Sequence, residues 1–177
     1  MDRTTPTTST STIELVHLLA SPLHRYEGRP ADGALPFDGE ELHERIELRA
    51  GLGIVGDRHY GHRAHVDAAV TVLAMETLDE LADRFDLAPA EVVRRARRNV
   101  LTRGLDVDAL RGATIRLDTG EGEVVLRATR PANPCAWMDA ELAPGAFRAL
   151  RGRGGMRCAV VEGGALRLGQ ATCTITP

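Results

Sequence analysis

The stretch TIRLDTGEGEVVLRATR, residues 114–130, decides the fold class. Two β-prone runs, 114–117 and 123–130, flank the segment Gly120-Glu121-Gly122, and this pattern is typical of two strands joined by a tight turn. Further short runs of the same kind follow at residues 156–161, 165–168 and 171–176, with Gly163-Gly164 as another tight connection. Many short strands separated by turn signals predict a β-barrel.

The first half of the chain adds strands and a few helices. Residues 13–19, 45–50, 66–75 and 99–102 are predicted strands, and residues 77–85 have apolar side chains at helical spacing. Pro89 is placed to open a second helix through residue 97, and a brief helix is expected between residues 144 and 152. These helices do not alternate regularly with strands, which argues against a doubly wound parallel sheet. We therefore expect a mainly β protein, an α+β barrel with a few inserted helices.

Composition divides the chain into a tail and one domain. Residues 1–11 consist mostly of Thr, Ser, Pro and charged residues, which predicts a disordered tail. Residues 12–177 suit a single domain with one core. Residues 21–40 are rich in Gly, Pro and Asp, and we expect them to form a long loop.

The charged residues exclude several classes of function. All 22 basic residues are arginine, so the chain has neither the lysine of a Walker A phosphate loop nor a lysine for Schiff-base chemistry. The net charge of −3 and an aromatic content of 3% do not favour a nucleic-acid surface. No apolar run reaches the roughly 18 residues of a membrane span. Three cysteines without a CxxC pair fit a reducing cytoplasm rather than a disulfide framework or a zinc knuckle.

Residues 51–67 carry two motifs that could bind ligands. Gly51, Gly53 and Gly56 match a dinucleotide-binding pattern, but no amphipathic helix follows them, so a turn is the better interpretation. A polar cluster behind them could ligate a metal or form a solvated, substrate-contacting loop; it comprises Asp57, His59, His62, His65 and Asp67. We expect Arg58 and His59 to face a pocket.

Cys135 is the residue most strongly indicated as chemically active. It lies in Asn133-Pro134-Cys135-Ala136-Trp137, directly after a predicted strand, where a proline-fixed turn favours a position facing a cleft. Nearby guanidinium groups would favour the thiolate, the form that attacks electrophiles or binds metals. The alternative is a buried small apolar residue, and this interpretation suits Cys158 and Cys173, which lie within apolar strands.

Two arginine-rich segments could hold an anion. Arg97, Arg98 and Asn99 lie where the second helix gives way to a strand, and Thr102 on that strand could add a hydroxyl. Cations at a helix C-terminus also stabilise the helix through its dipole, so this effect explains some of these arginines without a bound ligand. Residues 148–157, which include Arg153, combine arginines with glycines that let backbone amides approach an oxyanion. A phosphate-bearing small molecule is a better match than nucleic acid.

Taken in order, these segments resemble the MOSC domain, the module named for its position at the C-terminus of molybdenum-cofactor sulfurases. The resemblance covers residues 12–177 and rests on the order and spacing of several short motifs. The matching motifs are Gly56-Asp57-Arg58-His59, Arg97-Arg98-Asn99-Val100 with Thr102 and Gly104, Gly112, Glu123-Val124-Val125-Leu126, Pro134-Cys135, Arg153-Gly154-Gly155 and residues 163–169. Gly169-Gln170 departs from the Gly-Asp of many members, a change that we place in a turn.

The resemblance implies a barrel-like fold and a cysteine that either ligates molybdenum or carries sulfur. By analogy with relatives that reduce N-hydroxylated compounds, Cys135 would be the catalytic metal ligand, and Arg97, Arg98, Asn99 and Arg153 would hold the pterin phosphate of the molybdenum cofactor. We place Arg58, His59 and Thr102 in the same cofactor-binding set. The substrate would be a small molecule.

The partners follow from the same resemblance. The short chain has no redox module, so a reductase of this kind would take electrons from a separate partner. A sulfur carrier would instead meet a cysteine desulfurase, and a third alternative is a non-enzymatic module that binds a phosphorylated metabolite. Without lysine, the chain cannot form the internal aldimine of pyridoxal phosphate, a cofactor associated with the sulfurases. We expect no nucleic-acid or membrane partner.

Overall fold

Ten strands, four α-helices and three short 3-10 helices make up the fold of residues 7–177, the part of the chain that the computed structural model describes. The strands are β1 (Ser9–Leu18), β2 (Arg45–Arg49), β3 (Gly53–Ile54), β4 (Val70–Ala74), β5 (Val100–Arg103), β6 (Thr114–Asp118), β7 (Glu123–Pro131), β8 (Met156–Glu162), β9 (Gly164–Arg167) and β10 (Gly169–Thr176). The helices are α1 (Met75–Phe85), α2 (Pro89–Ala96), α3 (Trp137–Glu141) and α4 (Ala146–Ala149).

Seven of these strands close into a barrel in the order β1-β10-β6-β7-β8-β4-β5. β4 and β5 pair in parallel, whereas the other neighbouring pairs are antiparallel. A parallel pair needs a long crossover connection, and α1 and α2 together provide it. A separate three-stranded sheet of order β3-β2-β9 lies beside the barrel.

Alternation along the barrel strands sorts the apolar side chains into two cores. Val72 and Val100 belong to the cluster inside the barrel, whereas their neighbours Leu73 and Leu101 belong to a second cluster beneath the helices. α1 contributes Leu78 to this outer cluster. β4 and β5 are therefore covered on both faces, which explains why their sequences are continuously apolar.

The mainly β barrel predicted from the sequence is confirmed, but several boundaries differ. β1 begins at Ser9, so the end of the predicted tail at residue 11 is corrected: residues 9–11 pair with residues 173–175 of β10. Their polar side chains can face outward there, and the Thr10 hydroxyl lies 3.0 Å from that of Thr174. The first six residues of the predicted tail lie outside the described residues.

Two short helices also depart from the predictions. Residues 66–68, predicted as strand, belong to the 3-10 helix Arg63–Ala68, and the strand β4 covers only the later part of that apolar run. α3, directly after Cys135, was not predicted. Within residues 7–177, no helix is long and apolar enough to cross a membrane.

Candidate functional site

Cys135 lies in the connection between β7 and α3. Ala132, just after the strand, donates its N–H to the Gly155 carbonyl at 2.8 Å, and the Cys135 carbonyl accepts the N–H of Met138 at 3.0 Å. These two bonds fix the segment at both ends and leave the Cys135 thiol exposed. Cys158 and Cys173 are buried, and burial raises the pKa of their thiols to about 12 and about 11. Cys135 is thus the accessible thiol of the three.

A cavity of about 160 Å³ opens beside Cys135. Its walls come from four segments: the long loop after β1, the loop after β3, the junction between α2 and β5, and the segment from Asn133 to Met138. Arg157 of β8 completes the lining. Arginines from each of the first three segments and from β8 thus meet around one thiol; they are Arg25, Arg58, Arg97, Arg98 and Arg157.

Arg58 has hydrogen-bonding capacity that the described residues do not use. Its backbone N–H donates to the Ser21 carbonyl at 2.7 Å, whereas its side-chain Nε and Nη1 are buried and have no hydrogen-bond partner among residues 7–177. The Asp57 carboxylate lies 3.9 Å from Nη1. Burial lowers the pKa of Arg58 and the charge of Asp57 partly opposes this effect. An anionic ligand binds most favourably where a cation has buried hydrogen-bond donors without a partner.

Arg98 is held by backbone carbonyls. Its guanidinium donates to the carbonyls of Gly154 at 3.0 Å, Ala132 at 3.1 Å and Ala96 at 3.2 Å. Burial and, to a smaller extent, the charge of Arg157 lower its pKa, the charge of Cys135 partly opposes them, and the pKa is about 10. Arg98 therefore remains charged near neutral pH and ties the α2–β5 junction to the segment that carries Cys135.

Arg157 lies in the predicted arginine-rich segment 148–157, but Arg153 rather than Arg157 was predicted as its cofactor contact. Met156 and Cys158 on either side belong to the barrel interior, so alternation along β8 turns Arg157 outward and into the pocket. Burial lowers its pKa, as does the charge of Arg130, whereas the thiolate of Cys135 raises it. Neither Arg157 nor Arg98 has a carboxylate within 4.0 Å in the described part of the chain.

Arg97 reaches the same pocket, but its charge is already paired. It ends α2 in the left-handed conformation (φ 52°), and its buried guanidinium donates to both carboxylate oxygens of Glu41, at 2.9 and 3.2 Å. It also lies over the ring of Tyr26, 5.8 Å from the centroid. Arg97 is therefore a lining residue with less capacity for a ligand than Arg58.

Four predicted cofactor contacts are not part of the pocket lining. One is His59, which was expected to face the pocket and instead lies in the histidine cluster beside it; the other three are Asn99, Thr102 and Arg153. Asn99 is buried, where it accepts the Thr71 N–H at 2.9 Å and donates to the Leu19 carbonyl at 3.1 Å. Thr102 is fully buried in β5. Arg153 is displaced to another surface, where it pairs with Glu80 of α1 at 2.7 Å. These three residues thus do not line the pocket, where Arg157 rather than Arg153 accompanies Cys135.

The histidines of the loop after β3 cluster near the pocket. The ring centroids of His59 and His65 are 4.4 Å apart, those of His62 and His65 5.1 Å, and His24 of the pocket lies 6.4 Å from His59. Burial, followed by the charge of Arg58, lowers the pKa of His59 to about 3. No group of three or more His, Cys, Asp or Glu residues suited to a metal is found within residues 7–177, so the metal alternative for this cluster finds no support.

Comparison with known proteins adds the family. A sequence model of the MOSC domain matches residues 56–172. The chain belongs to the MOSC domain family. A search of curated proteins finds no match.

Several solved structures share the fold of this MOSC domain. The YuaD protein from Bacillus subtilis is 17% identical, with a TM-score of 0.71 over 97% of this chain and 100% of that one. YiiM from Escherichia coli is 17% identical, with a TM-score of 0.58 over 93% of this chain and 70% of that one. YiiM from Geobacillus stearothermophilus is 14% identical, with a TM-score of 0.59 over 93% of this chain and 75% of that one. At these identities the likeness establishes the fold alone.

The donor set around Cys135 fits a molybdenum cofactor in its chemistry. A thiolate is a soft ligand suited to a metal already held by sulfur, and guanidinium groups pair with phosphate. The unpartnered Nε and Nη1 of Arg58 are the clearest sign that this wall accepts an anion. A cavity of about 160 Å³ is smaller than the roughly 300–1,000 Å³ of common ligand sites, so it accommodates one end of such a group.

Proposed function

We propose that this MOSC domain binds the molybdenum cofactor, with the Cys135 thiolate as metal ligand and with Arg58, Arg98 and Arg157 attracting its anionic groups. The observation that carries the proposal is the convergence of these guanidiniums on one exposed thiol, with two Arg58 donors unpartnered among the described residues. Charges of one sign in a concave site raise the local concentration of ligands of the other sign.

The proposed activity is an oxidoreductase reaction on N-hydroxylated or similar small molecules. The cofactor, when bound, would supply the two-electron chemistry. Cys135 would hold the metal, and the fixed guanidiniums would orient the anionic groups. Trp137 and Met138 give the cavity an apolar wall beside these charges, which favours a small substrate with an apolar body. Electrons would come from a separate redox partner, and the three free thiols fit a reducing cytoplasm.

Metal analysis of protein produced in a host that makes the cofactor tests this proposal. We expect molybdenum near one equivalent in the wild type, a similar content in Cys173→Ala, and almost complete loss in Cys135→Ser. Cys173 is the matched control because it is also a free thiol, but a buried one. Molybdenum far below stoichiometry in the wild type, or equal loading of the two variants, would refute cofactor binding through Cys135.

The exposure of Cys135 also supports a second candidate, a sulfur carrier. A desulfurase must reach the acceptor thiol, and Cys135 is accessible whereas Cys158 and Cys173 are buried. Incubation with a cysteine desulfurase and cysteine would then add about 32 Da to Cys135, measured by mass spectrometry of its peptide. No added mass on that peptide would refute the carrier. The binding-module alternative instead requires that Cys135→Ser bind a phosphorylated ligand as tightly as the wild type.

A further inference from the structure

Glu41 lies at the centre of a buried network behind the pocket. Its carboxylate accepts hydrogen bonds from Arg97 at 2.9 and 3.2 Å and from the Ser21 hydroxyl at 2.6 Å, and Arg25 lies 3.6 Å away. The side chains of Glu41 and Arg97 are 10% and 5% exposed. Burial alone would raise the pKa of Glu41, but the bonds from Arg97 and Ser21 outweigh it and hold the pKa below its usual range.

The network closes the two ends of the long loop after β1. Ala20 donates its N–H to the Glu41 carbonyl at 3.0 Å, so the two ends of the loop lie side by side at the end of β1. Between these ends, His24, Arg25 and Tyr26 line the pocket, and Tyr26 stacks on Trp137 with ring centroids 5.0 Å apart. The position of this loop over the thiol therefore depends on how its ends are anchored.

Asp57 extends the network to the loop that carries Arg58. It is buried, and its Oδ2 accepts the Ser21 N–H at 3.3 Å and the Asn99 side-chain amide at 3.2 Å. The Arg58 N–H donates in turn to the Ser21 carbonyl. Ser21 thus joins Glu41 and Asp57, and the three loops that supply pocket arginines share one set of hydrogen bonds.

We propose that Glu41 is a positioning residue: by pairing with Arg97 and Ser21 it fixes the loops so that Arg58 and Arg98 face an anion bound beside Cys135. The proposal rests on the anion-binding pocket of the proposed function. It assigns Glu41 no contact with the ligand. It also explains why a carboxylate occurs behind a site that otherwise collects positive charge.

The direction in which neutralisation of Glu41 changes the attraction of anions to the pocket distinguishes a positioning role from a purely electrostatic one. If Glu41 only reduced the positive potential, its neutralisation would strengthen the attraction of anions to the pocket. If Glu41 positions the loops, its neutralisation leaves Arg97 without its counter-charge in a buried site. Arg97 must then move, and Ser21 and the loop anchored there move with it. Anion attraction then weakens although the net charge has become more positive.

Alkylation of Cys135 in the full-length, cofactor-free protein measures that attraction. The rate with anionic iodoacetate is divided by the rate with neutral iodoacetamide, so that the thiolate population cancels. We expect Glu41→Gln to lower this ratio about fivefold, a modest part of the tenfold or larger effect that charge steering produces. The emission of Trp137, the only tryptophan of the chain, should change because its stack with Tyr26 is disturbed. A ratio that is unchanged or higher would overturn the proposal.

Glu121→Gln is the matched control. Glu121 also bridges two arginines, Arg45 at 2.6 Å and Arg167 at 2.9 Å, but none of the three lines the pocket. Its ratio should equal that of the wild type. Should Glu41→Gln not fold, Ser21→Ala removes the 2.6 Å bond to Glu41 together with the bonds of the hydroxyl to the carbonyl and N–H of Leu23 in the same loop. It leaves the pair of Glu41 with Arg97 intact, so it should shift the ratio in the same direction by a smaller factor. An unchanged ratio there overturns the proposal as well.

The wild type distinguishes failure of this inference from failure of the proposed function. An anion site beside Cys135 requires a wild-type ratio above that of a free cysteine peptide, decreasing as salt is added. A wild-type ratio equal to that of the peptide would refute the anion site itself, and with it the proposed function. A high, salt-sensitive wild-type ratio that Glu41→Gln leaves intact removes only the role of Glu41.

Discussion

Replacing Arg98 with methionine tests the connection between the α2–β5 junction and the segment that carries Cys135. The guanidinium donates to three carbonyls, those of Ala96, Ala132 and Gly154, at 3.0 to 3.2 Å. Methionine has similar length and adapts well to irregular spaces, so the change removes the donors with little change in packing. The carbonyl of Ala132 loses a partner three residues before Cys135.

The size of the effect follows from two opposing contributions. Three hydrogen bonds from a charged donor contribute about 1.5–3 kcal/mol each, or about 5–9 kcal/mol together. Burial, with a smaller contribution from the charge of Arg157, lowers the pKa of Arg98 to about 10 from 12.5. At about 1.4 kcal/mol per pH unit, holding the charged form there at neutral pH costs about 3 kcal/mol. The balance favours arginine, and we expect Arg98→Met to lower the free energy of unfolding by about 3 kcal/mol.

Urea unfolding followed by circular dichroism measures this difference in free energy. If the slope of the free energy of unfolding against urea concentration is unchanged, the variant differs from the wild type in stability alone. Hydrogen exchange of the Ala132 amide, which donates to the Gly155 carbonyl, should also accelerate in Arg98→Met. Arg116→Met is the control because Arg116 is 38% exposed and bonds to Glu123 on the surface, where such pairs contribute about 0–1 kcal/mol. If the free energy of unfolding of Arg98→Met lies within about 0.5 kcal/mol of that of the wild type, the bonds from Arg98 to the three carbonyls do not stabilise the fold and the prediction is wrong.

Two further predictions concern the backbone and the histidines beside the pocket. A Cβ at Gly155 (φ +81°) would overlap the Val72 carbonyl oxygen, so Gly155→Ala should lower the free energy of unfolding in urea by more than about 3 kcal/mol. Gly120 (φ +90°) has open space around it, so Gly120→Ala should lower it by about 1–2 kcal/mol. Equal losses of stability in the two variants would contradict the overlap. The folded chain binds a proton at His59 (pKa about 3) more weakly than the unfolded chain (6.5), so stability is lost as the pH falls below 6.5, by up to about 1.4 kcal/mol per pH unit. His59→Gln should flatten this dependence between pH 7 and 5, and an unchanged slope would assign it to other groups.

The barrel could be predicted because its strands are short, apolar on one face and separated by glycine-rich turns. The errors fall where this signal is ambiguous. Residues 66–68 continue the apolar run of β4, yet they form a 3-10 helix, because apolar continuity alone does not distinguish a strand from a buried helical turn. Ser9 to Ser11 read as a polar tail, and only their pairing with β10, a contact distant in sequence, makes them a strand.

The site was predictable only in its local part. A proline-fixed turn after a strand indicated an accessible Cys135, and the structure leaves that thiol exposed. Arg157 carried a usable signal, since alternation with Met156 and Cys158 turns it away from the barrel interior. The contribution of Tyr26 and Glu41 could not be predicted, because a long loop has no periodicity that tells where it folds back.

Arg97 and Arg98 show why neighbouring residues of the same type play different roles here. The left-handed conformation of Arg97 breaks the helical spacing, and the two guanidiniums then lie against different walls: Arg97 pairs with Glu41, whereas Arg98 binds the carbonyl of Ala132 near Cys135. Each interaction uses several donors of a planar fork, which the single ammonium of lysine could not reproduce. The junction thus connects the loop wall to the thiol wall of the pocket. An anion held between these walls would stabilise both against separation, so ligand binding should raise the stability of the fold.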